Sequence, residues 1–564
     1  MVVRTKGARC RNRAIFIRKF PKQKGDMAAA SNPTSQEGAA TSTSSQQQQP
    51  NLDAITDDDF EYVDEEFVSN YTPEEAVQPQ PTEPMIPDLF KQPPLVKDDL
   101  ITDTSKLQDQ TVEHCLPFLA GQDGPLELND YGLPRLNREK HIKFLKQSLG
   151  PLPGRFVGMD ASRPWFLYWC LSGLTMMGED VSSYRESVIA TARTMQNESG
   201  GFGGGHGQLS HLATTYSVIL AIALVGGEEA YNVIDRKGMW KWLCTLKQPD
   251  GGFQVCVGGE EDIRGAYIAA VVITLLDLPL DLTPESPAYD GGRSNLLTGM
   301  AEYVRSCQTF EGGISSQPNN EAHGAYAFCA LACLALLDNP RRIIPRHTDT
   351  QTSRQLTALS SPLTSYLDIP RLVSWLSYRQ YAPEGGFSGR TNKLVDGCYS
   401  HWVGGCFPLI EACLSPSGSG SEKENNKTAT SGLAAAPESL YNREGLIRYI
   451  LSCCQDQTKR GGLRDKPYKM SDAYHTNYVL SGLSSAQHQW DLDSDPLPLP
   501  EGETTPTMAA LGADSIWNVF PFIDDNDQVY EDSDRVRPIH PAYAIPQKNV
   551  AGIRAYFQGR SGFA

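Results

Sequence analysis

One short segment of the chain combines residue types that bind anions with residue types that bind metals. The stretch GRTNKLVDGCYSHW holds two cations, Arg390 and Lys393, followed by Asp396 and Cys398. Carboxylate and thiolate are both ligands of zinc, whereas Arg and Lys donate hydrogen bonds to oxyanions. The segment alone is a weak signal, because a free Cys packs in a core more often than it binds a metal. Its meaning depends on what the rest of the chain places beside it.

A repeated unit organises the chain around this segment. The unit is a Gln, then two to four residues, then Gly-Gly and an apolar residue. It occurs five times, from QNESGGF to QTKRGGL, at intervals of 51 to 76 residues. The second glycines are Gly201, Gly252, Gly313, Gly386 and Gly462. A mixed polar and apolar helical pattern precedes each pair, and a nearly all-apolar pattern follows it. We therefore predict an all-α fold, an α/α toroid of repeated helix pairs with a disordered N-terminal region and surface-loop inserts.

The apolar helices share a register. Each has a tyrosine 12 to 15 residues after its second glycine, so the side chains near these tyrosines face one shared opening: Tyr216, Tyr267, Tyr326, Tyr399 and Tyr474. The register brings Asp396, Cys398 and His475 together from neighbouring repeats. Three protein ligands leave the fourth position of a tetrahedral zinc ion open, as in catalytic sites.

A second group of side chains at the same height could bind a diphosphate. Its members all donate hydrogen bonds to oxyanions, and they stand near helix N-termini, where the backbone dipole is positive: Arg264, His323, Arg390, Lys393 and Tyr399. Each cation taken singly would more often be a solvated or ion-paired side chain. Aromatic residues are predicted to fill the remaining wall: Trp165, Tyr267, Tyr326 and Trp402, with Trp169 equally open to packing or ligand contact.

Composition restricts the partners and the compartment. A net charge of −17 argues against a nucleic-acid or anionic-membrane surface, and no apolar run is long enough to span a membrane. Thirteen cysteines at no framework spacing are typical of reduced thiols in a cytoplasmic protein. The basic residues 1–25 favour an extended start over a mitochondrial presequence, so either Met1 or Met27 could begin the protein.

The chain divides into four predicted regions. Residues 1–105 are of low complexity and mostly disordered, and residues 106–487 form the α/α barrel, with a disordered insert near 415–435. Residues 488–537 are an acidic loop or linker, and residues 538–564 pack back on the barrel.

Several of these motifs resemble one known family closely. SRPW, GGFGGG, KQPDGGF, EAHGAY, GRTNKLVDGCYS and GGLRDKPYKMSDAYHTNYVLSGLS are similar to the β subunit of protein farnesyltransferase, over about Leu107 to Gln487 and again near the C-terminus. The resemblance implies a heterodimer with a helical-repeat α subunit. It implies transfer of farnesyl from farnesyl diphosphate to the cysteine of a C-terminal CaaX sequence, with zinc and magnesium as cofactors.

The resemblance also assigns roles to residues. It implies zinc at Asp396, Cys398 and His475, and the prenyl diphosphate at Arg264, His323, Arg390, Lys393 and Tyr399. Lys393 and Tyr399 are expected to assist catalysis as well. Asp465 looks like a magnesium-assisting carboxylate and Lys469 like its basic neighbour, while Trp165, Tyr267 and Tyr478 resemble residues that shorten the lipid pocket to fifteen carbons.

Three alternatives are weighed against this prediction. Terpene cyclases share the toroid, but neither an Asp-x-Asp-Asp nor an Asp-Asp-x-x-Asp string occurs in the sequence. A geranylgeranyltransferase type I β subunit differs mainly in the size of the lipid-pocket residues. A toroid used only as a scaffold would have no reason to hold three types of metal ligand in one register.

Overall fold

The computed structural model describes most of the chain beyond residue 87. The described residues are 88–90, 92–94, 99–121, 128–343, 367–414, 439–493, 512, 515–522 and 529–563. Almost all of the N-terminal region predicted to be disordered, and all of the insert near 415–435, lie outside these ranges. Those two predictions therefore remain untested.

Six pairs of helices form the body of the described chain. The outer helices are Arg138–Ser148, Arg185–Met195, Arg236–Leu246, Met300–Ser306, Ile369–Ser377 and Arg443–Arg448, the last continued by a π-helical segment, Tyr449–Cys454. The inner helices, first to sixth in chain order, are Arg163–Met176, Leu212–Val225, Ile263–Leu276, Gly324–Leu337, Tyr399–Trp402 with Cys406–Leu414, and Ala473–Gln487. Nearly every residue of the inner helices is buried, which explains their apolar composition on all faces.

Further elements join and flank these pairs. The other α-helices are Asp103–Leu119, Glu228–Tyr231, Pro340–Ile343 and Gln547–Phe557. The 3₁₀ segments are Asp88–Phe90, Gly154–Ser162, Ser182–Tyr184 and Asp532–Asp534. Among the described residues, no helix has both the length and the apolar character that crossing a membrane requires.

The glycine pairs set the geometry between an outer and an inner helix. Gly200 has φ of 94°, a conformation that costs glycine little and other residues much. At Gly201 an added Cβ would lie 2.7 Å from the ring of Trp242 on the next outer helix. The repeated motif therefore brings each turn into direct contact with the following repeat.

The ring of helices is closed, as the sequence predicted. The first inner helix packs against both the second and the sixth. The last glycine pair makes the same contact across this junction, since a Cβ at Gly462 would lie 2.8 Å from the Phe144 ring. His141 adds a hydrogen bond there, with Nδ1 accepting from the Gly462 N–H at 3.0 Å. In a toroid closed in this way, the first and last inner helices cover each other, so neither has an exposed side.

One helix pair lacks the repeated glycine motif and was not predicted from the sequence. The outer helix Arg138–Ser148 and the inner helix Arg163–Met176 are joined by residues 149–162, which contain no glycine pair. A 3₁₀ segment, Gly154–Ser162, takes the place of the usual turn. The five sequence repeats thus correspond to the second to sixth of the six structural pairs.

The fifth inner helix is interrupted directly after the metal-ligand motif. Its two parts, Tyr399–Trp402 and Cys406–Leu414, are separated by Val403, Gly404 and Gly405. A Cβ on Gly404 would lie 2.2 Å from the Ser400 carbonyl oxygen, so no larger residue fits this bend. Cys398, the N-cap, and Trp402 both lie in the single helical turn that precedes this bend.

The region 488–537 is not simply an acidic loop, because it contains two paired strands. His488–Leu492 and Trp517–Pro521 run antiparallel, with Trp490 opposite Val519. The first strand buries alternate residues, His488, Trp490 and Leu492, and this period of two was present in the sequence HQWDL. The strand was not predicted because it is short and lies beside a polar segment.

The C-terminal segment contacts the C-terminal ends of the inner helices. Arg537 N donates to the Met176 carbonyl at 2.8 Å, and Asn549 Nδ2 donates to the Ala223 carbonyl at 2.9 Å. All six inner helices run in the same direction, so their N-termini surround the opposite end of the ring. We call that opposite end the mouth and the end covered by residues 536–549 the closed end.

Candidate active site

The mouth is formed by helix N-termini whose capping side chains are themselves polar or ionisable. His211 and His323 cap the second and fourth inner helices by accepting an N–H at Nδ1, each at 3.1 Å. Asp262 and Asp472 cap the third and sixth inner helices through carboxylate oxygens. Capping satisfies backbone donors that a helix leaves unpaired at its start, and it also points these groups at one opening.

Three of the side chains assigned to metal binding meet at this opening. Asp396, Cys398 and His475 each offer one ligand atom, and these atoms all lie within 4.8 Å of one another. Asp396 and Cys398 are buried, and His475 keeps some exposure. The Asp396 Oδ1 accepts from the Cys398 N–H at 2.8 Å, which fixes the two ligands of the Asp-x-Cys motif relative to each other.

The electrostatics of this cluster favour a cation. Burial lowers the pKa of His475, but the carboxylates of Asp472 and Asp396 more than offset that effect and raise the pKa well above its usual value. Asp472 Oδ2 lies 2.7 Å from His475 Nδ1, and Asp396 Oδ1 lies 3.3 Å from His475 Nε2. Two carboxylates around one imidazole therefore create a surplus of negative charge.

Asp465 lies next to the cluster but is engaged elsewhere. Its carbonyl accepts from the Gly397 N–H at 2.8 Å, and both of its carboxylate oxygens lie 2.6 Å from Lys466 Nζ. Burial raises the pKa of Asp465, and the negative charge of Asp396 raises it further. Lys469, which the sequence suggested as the basic neighbour, is exposed, and Lys466 is the lysine that contacts the Asp465 carboxylate.

His323 and Tyr399 form the centre of the predicted anion site. His323 Nε2 lies 3.1 Å from the Tyr399 hydroxyl. Burial and, to a smaller extent, the nearby charge of Arg390 lower the pKa of His323 to about 4, so the ring is neutral at pH 7. The Tyr399 ring packs onto Gly389, where a Cβ would lie 2.2 Å from the ring carbon Cζ. This close approach explains the glycine that opens the GRTNK motif.

The three predicted cations of the anion site lie around the mouth, and acidic side chains contact Arg264 and Arg390. Arg264 Nε donates to Asp262 at 3.0 Å, and Arg390 Nη1 lies 2.7 Å from Glu321 Oε2. Arg264, Arg390 and Lys393 are all half-buried. An incoming anion would therefore share the two arginines with these carboxylates.

Aromatic side chains form a continuous belt inside the ring. Successive ring centroids lie 4.5 to 6.0 Å apart in a circuit that returns to its start: Trp165, Tyr216, Tyr267, Phe328, Trp402, Tyr478, Tyr474 and Trp169. Trp165, Trp402 and Tyr474 keep partial exposure although they stand on inner helices, which shows that the ring is open at the mouth. The Tyr326 ring centroid lies 5.3 Å from that of His323, with the rings tilted, and Tyr326 is likewise half-exposed.

Comparison with known proteins places the chain in a family. Residues 136–545 match the model of the prenyltransferase alpha-alpha toroid domain. A protein farnesyltransferase β subunit from Pyricularia oryzae is 56% identical over 484 residues, which cover 85% of each chain. The chain belongs to the protein farnesyltransferase β-subunit family. A farnesyltransferase β subunit from Schizosaccharomyces pombe is 36% identical, over 81% of this chain and 98% of that one.

More distant relatives of this farnesyltransferase family member have names that refer to a different lipid, geranylgeranyl. The β subunit of geranylgeranyl transferase type 1 from Arabidopsis thaliana is 26% identical, over 62% of this chain and 85% of its own. A solved Candida albicans protein geranylgeranyltransferase-I, complexed with GGPP, aligns with a TM-score of 0.50 at 19% identity. It covers 75% of this chain and all of that one. At this identity the likeness supports the toroid fold alone.

The structure adds residues to the site of this farnesyltransferase family member that sequence reasoning missed. Asp472 contacts His475, and Lys466 contacts Asp465, but neither was singled out. Phe328 completes the aromatic belt between Tyr267 and Trp402. A signal for Asp472 did exist, because an Asp three residues before His475 at the start of an apolar helix is typical of an N-cap.

Proposed function

We propose that the chain is the β subunit of a zinc-dependent protein farnesyltransferase. It joins the farnesyl group of farnesyl diphosphate to the cysteine thiol of a C-terminal CaaX sequence. The observation that carries the proposal is the Asp396, Cys398 and His475 cluster beside the His323 and Tyr399 pair, at the mouth of an aromatic belt. Thiol activation and anion departure need two such neighbouring groups of side chains.

The three clustered side chains fit zinc. One carboxylate, one thiol and one imidazole are accepted zinc ligands, and a tetrahedral zinc ion separates its ligand atoms by roughly 3.5 Å. The observed limit of 4.8 Å therefore requires only small side-chain adjustments. A zinc ion held by Asp396, Cys398 and His475 would supply a positive charge that lowers the pKa of a substrate thiol. Every other contribution comes from the protein itself.

Asp472 orients the imidazole ligand. Its carboxylate accepts the Nδ1 proton of His475, which leaves the Nε2 lone pair directed at the cluster. The same carboxylate caps the sixth inner helix, so ligand orientation and helix start are held by one residue.

Other side chains serve the departing diphosphate. The substrate cysteine first loses its thiol proton to solvent. During transfer its sulfur then forms a bond to C1 of the farnesyl group, while the carbon–oxygen bond breaks and the diphosphate leaves with the electron pair of that bond. Tyr399 is proposed to donate a hydrogen bond to it, His323 to act through its own hydrogen bond to the Tyr399 hydroxyl, and Arg264, Arg390 and Lys393 to offset its charge. These donors are already in place before the charge develops.

The belt provides a surface for an isoprenoid chain. Trp165, Tyr267, Tyr326, Trp402 and Tyr478 are proposed to contact the lipid. Bulky residues at Trp165 and Tyr478 limit the depth of the site, which favours farnesyl over the longer geranylgeranyl chain. Burial of apolar carbon against these rings drives binding.

The fit to magnesium is poorer than the fit to zinc. Lys466 Nζ contacts both carboxylate oxygens of Asp465, the residue that the family resemblance assigns to magnesium. We assign no step to magnesium. Lys466 supplies a positive charge of the protein's own at this point.

A transfer assay tests the proposal. The full chain is co-expressed with a farnesyltransferase α subunit, and the purified heterodimer is given a CaaX peptide with farnesyl or geranylgeranyl diphosphate in equal amounts. We expect a thioether product that is mainly farnesylated, at one bound zinc ion per heterodimer. Mainly geranylgeranylated product would assign the chain to the type I geranylgeranyl enzyme. A heterodimer without zinc or lipid binding would support a scaffold.

A further inference from the structure

The closed end of the ring carries a chain of tyrosine hydroxyls that the proposed reaction does not use. Tyr216 and Tyr267, two members of the aromatic belt, have hydroxyl oxygens 3.2 Å apart. The Tyr267 hydroxyl donates to the Ala542 carbonyl at 2.9 Å, and Tyr168 donates to the Ala544 carbonyl at 3.1 Å. Tyrosine hydroxyls from three adjacent inner helices are therefore linked by hydrogen bonds to one C-terminal turn.

The turn, residues 540–545, holds these carbonyls in fixed positions. The His540 Nδ1 accepts from the Ala542 N–H at 3.1 Å, and the His540 N–H donates to the Ile545 carbonyl at 2.8 Å. The Ala544 N–H returns to the His540 carbonyl at 2.9 Å, and Ala544 adopts a left-handed φ of 55°. A non-glycine residue keeps that conformation only where its surroundings enforce it.

Aromatic packing and burial reinforce the turn. The His540 ring lies 5.5 Å from Trp517 and 4.9 Å from Tyr543, measured between centroids. The Tyr543 hydroxyl donates to Thr274 on the third inner helix at 3.0 Å. His540, Tyr543 and Ala544 are all buried. The turn is thus packed as a part of the core rather than as a mobile tail.

The hydroxyls tie the orientation of the belt tyrosines to this turn. Tyr168 and Tyr267 are fully buried, and a buried hydroxyl without a partner is unfavourable. Rotation of either ring away from the turn would break its hydrogen bond and leave a buried hydroxyl unpaired. The ring of Tyr267, which belongs to the belt, is therefore held in position by the turn.

We propose that the C-terminal turn at residues 540–545 sets the depth of the prenyl site, with Tyr168 and His540 as positioning residues. The inference rests on the proposed function and deepens it, because it names what selects between prenyl diphosphates that differ by one five-carbon unit. Neither Tyr168 nor His540 belongs to the belt. His540 acts on Tyr267 by fixing Ala542, whose carbonyl accepts from the Tyr267 hydroxyl. Tyr168 acts on Tyr267 by binding the same turn at the Ala544 carbonyl.

Three substitutions test the turn against a matched control. Tyr267→Phe and Tyr168→Phe remove one hydroxyl each and keep the ring, and His540→Phe removes the acceptor that holds Ala542. Tyr530→Phe is the control, since Tyr530 is equally buried and donates to a main-chain carbonyl, that of Phe522, away from the turn. Thermal unfolding of each heterodimer establishes that it is folded.

The measurement is the ratio of kcat/KM for farnesyl diphosphate to that for geranylgeranyl diphosphate, with direct binding of both lipids in parallel. We expect the ratio to fall about tenfold in all three variants, because an apolar site discriminates by the methylene groups it excludes. We expect Tyr168→Phe to keep farnesyl transfer within about twofold of the unchanged protein, and Tyr530→Phe to leave the ratio unchanged.

Two results would overturn the inference. An unchanged ratio in Tyr168→Phe and His540→Phe would remove the turn from selection, even if Tyr267→Phe altered it by direct contact. An equal fall in Tyr530→Phe would show a general effect of lost hydroxyls. Failure of the unsubstituted heterodimer to transfer either lipid would instead overturn the proposed function, and the inference with it.

Discussion

The imidazole Nε2 of His323 lies 3.1 Å from the hydroxyl oxygen of Tyr399, although 76 residues separate the two in sequence. The other ring nitrogen, Nδ1, accepts the Ala325 N–H, which places the proton of the neutral ring on Nε2. His323 therefore donates to Tyr399, and the two act as one unit of the anion site.

This coupling predicts non-additive substitutions. His323→Asn, which keeps a helix-capping acceptor, and Tyr399→Phe should each slow single-turnover farnesyl transfer by about tenfold to a hundredfold. The double variant should be little slower than the slower single variant, because each change already breaks the same contact. Rate losses that simply multiply would show two independent residues.

Loss of the thiol ligand should separate metal binding from lipid binding. Cys398→Ala is expected to reduce bound zinc to below about a tenth of an ion per heterodimer and to abolish turnover. Farnesyl diphosphate affinity should change by less than about threefold, since its donors are other side chains. Metal analysis after dialysis and lipid titration measure the two, with Cys256→Ala, a half-buried loop cysteine, as the control. Lost lipid binding with retained zinc would contradict the assignment.

Asp472 should govern metal affinity through His475. Asp472→Asn keeps a good helix cap, because Asn and Asp cap about equally well, but its amide binds the imidazole less strongly. We expect zinc affinity to fall about tenfold to a hundredfold, with the unfolding temperature nearly unchanged. Competition with a metal chelator provides the affinity. Asp235→Asn, which alters the cap of an outer helix, should leave it unaffected.

His401 predicts a pH-dependent stability. It is buried between Phe328, Trp402 and Tyr478, neither ring nitrogen has a hydrogen-bond partner, and burial lowers its pKa to about 3. The folded state then binds fewer protons than the unfolded state between about pH 3 and 6.5. Stability contributed by the neutral ring is therefore complete above 6.5 and declines as the pH falls, by about 2 kcal/mol at pH 5.

His401→Phe should remove that decline. The variant should unfold at a higher temperature than the unchanged protein, and the difference should widen from pH 7 to pH 5. Thermal unfolding across this range measures it, with the exposed His206 changed to Asn as the control. A constant difference would mean that the imidazole does not titrate between the two states.

Much of the fold could be predicted because its repeats carry a local signal. Gly200 needs a left-handed φ and Gly201 has no room for a side chain, so the sequence must retain both. The pair containing Arg163–Met176 was missed because a 3₁₀ segment replaces its glycine turn. The strands at His488 and Trp517 were missed because each contains only five residues.

The site could be predicted only as far as helix register reaches. Register brought Asp396, Cys398 and His475 to one height, and the structure brings their ligand atoms together. Helix register could not reveal that Glu321 contacts Arg390 or that Asp262 contacts Arg264. Such partners depend on the paths of the loops rather than on the helical period. The bond from Tyr267 to Ala542 joins residues 275 apart, and no local pattern encodes it.

Closure of the toroid also has a consequence for biosynthesis. The junction joins the helix that begins at Arg163 to the helix that ends at Gln487, so the ring cannot be completed until most of the polypeptide has left the ribosome. Contacts of such long sequence separation form slowly, and the apolar inner helices stay uncovered meanwhile. Newly made chains should therefore depend on chaperones before any metal or lipid can be held.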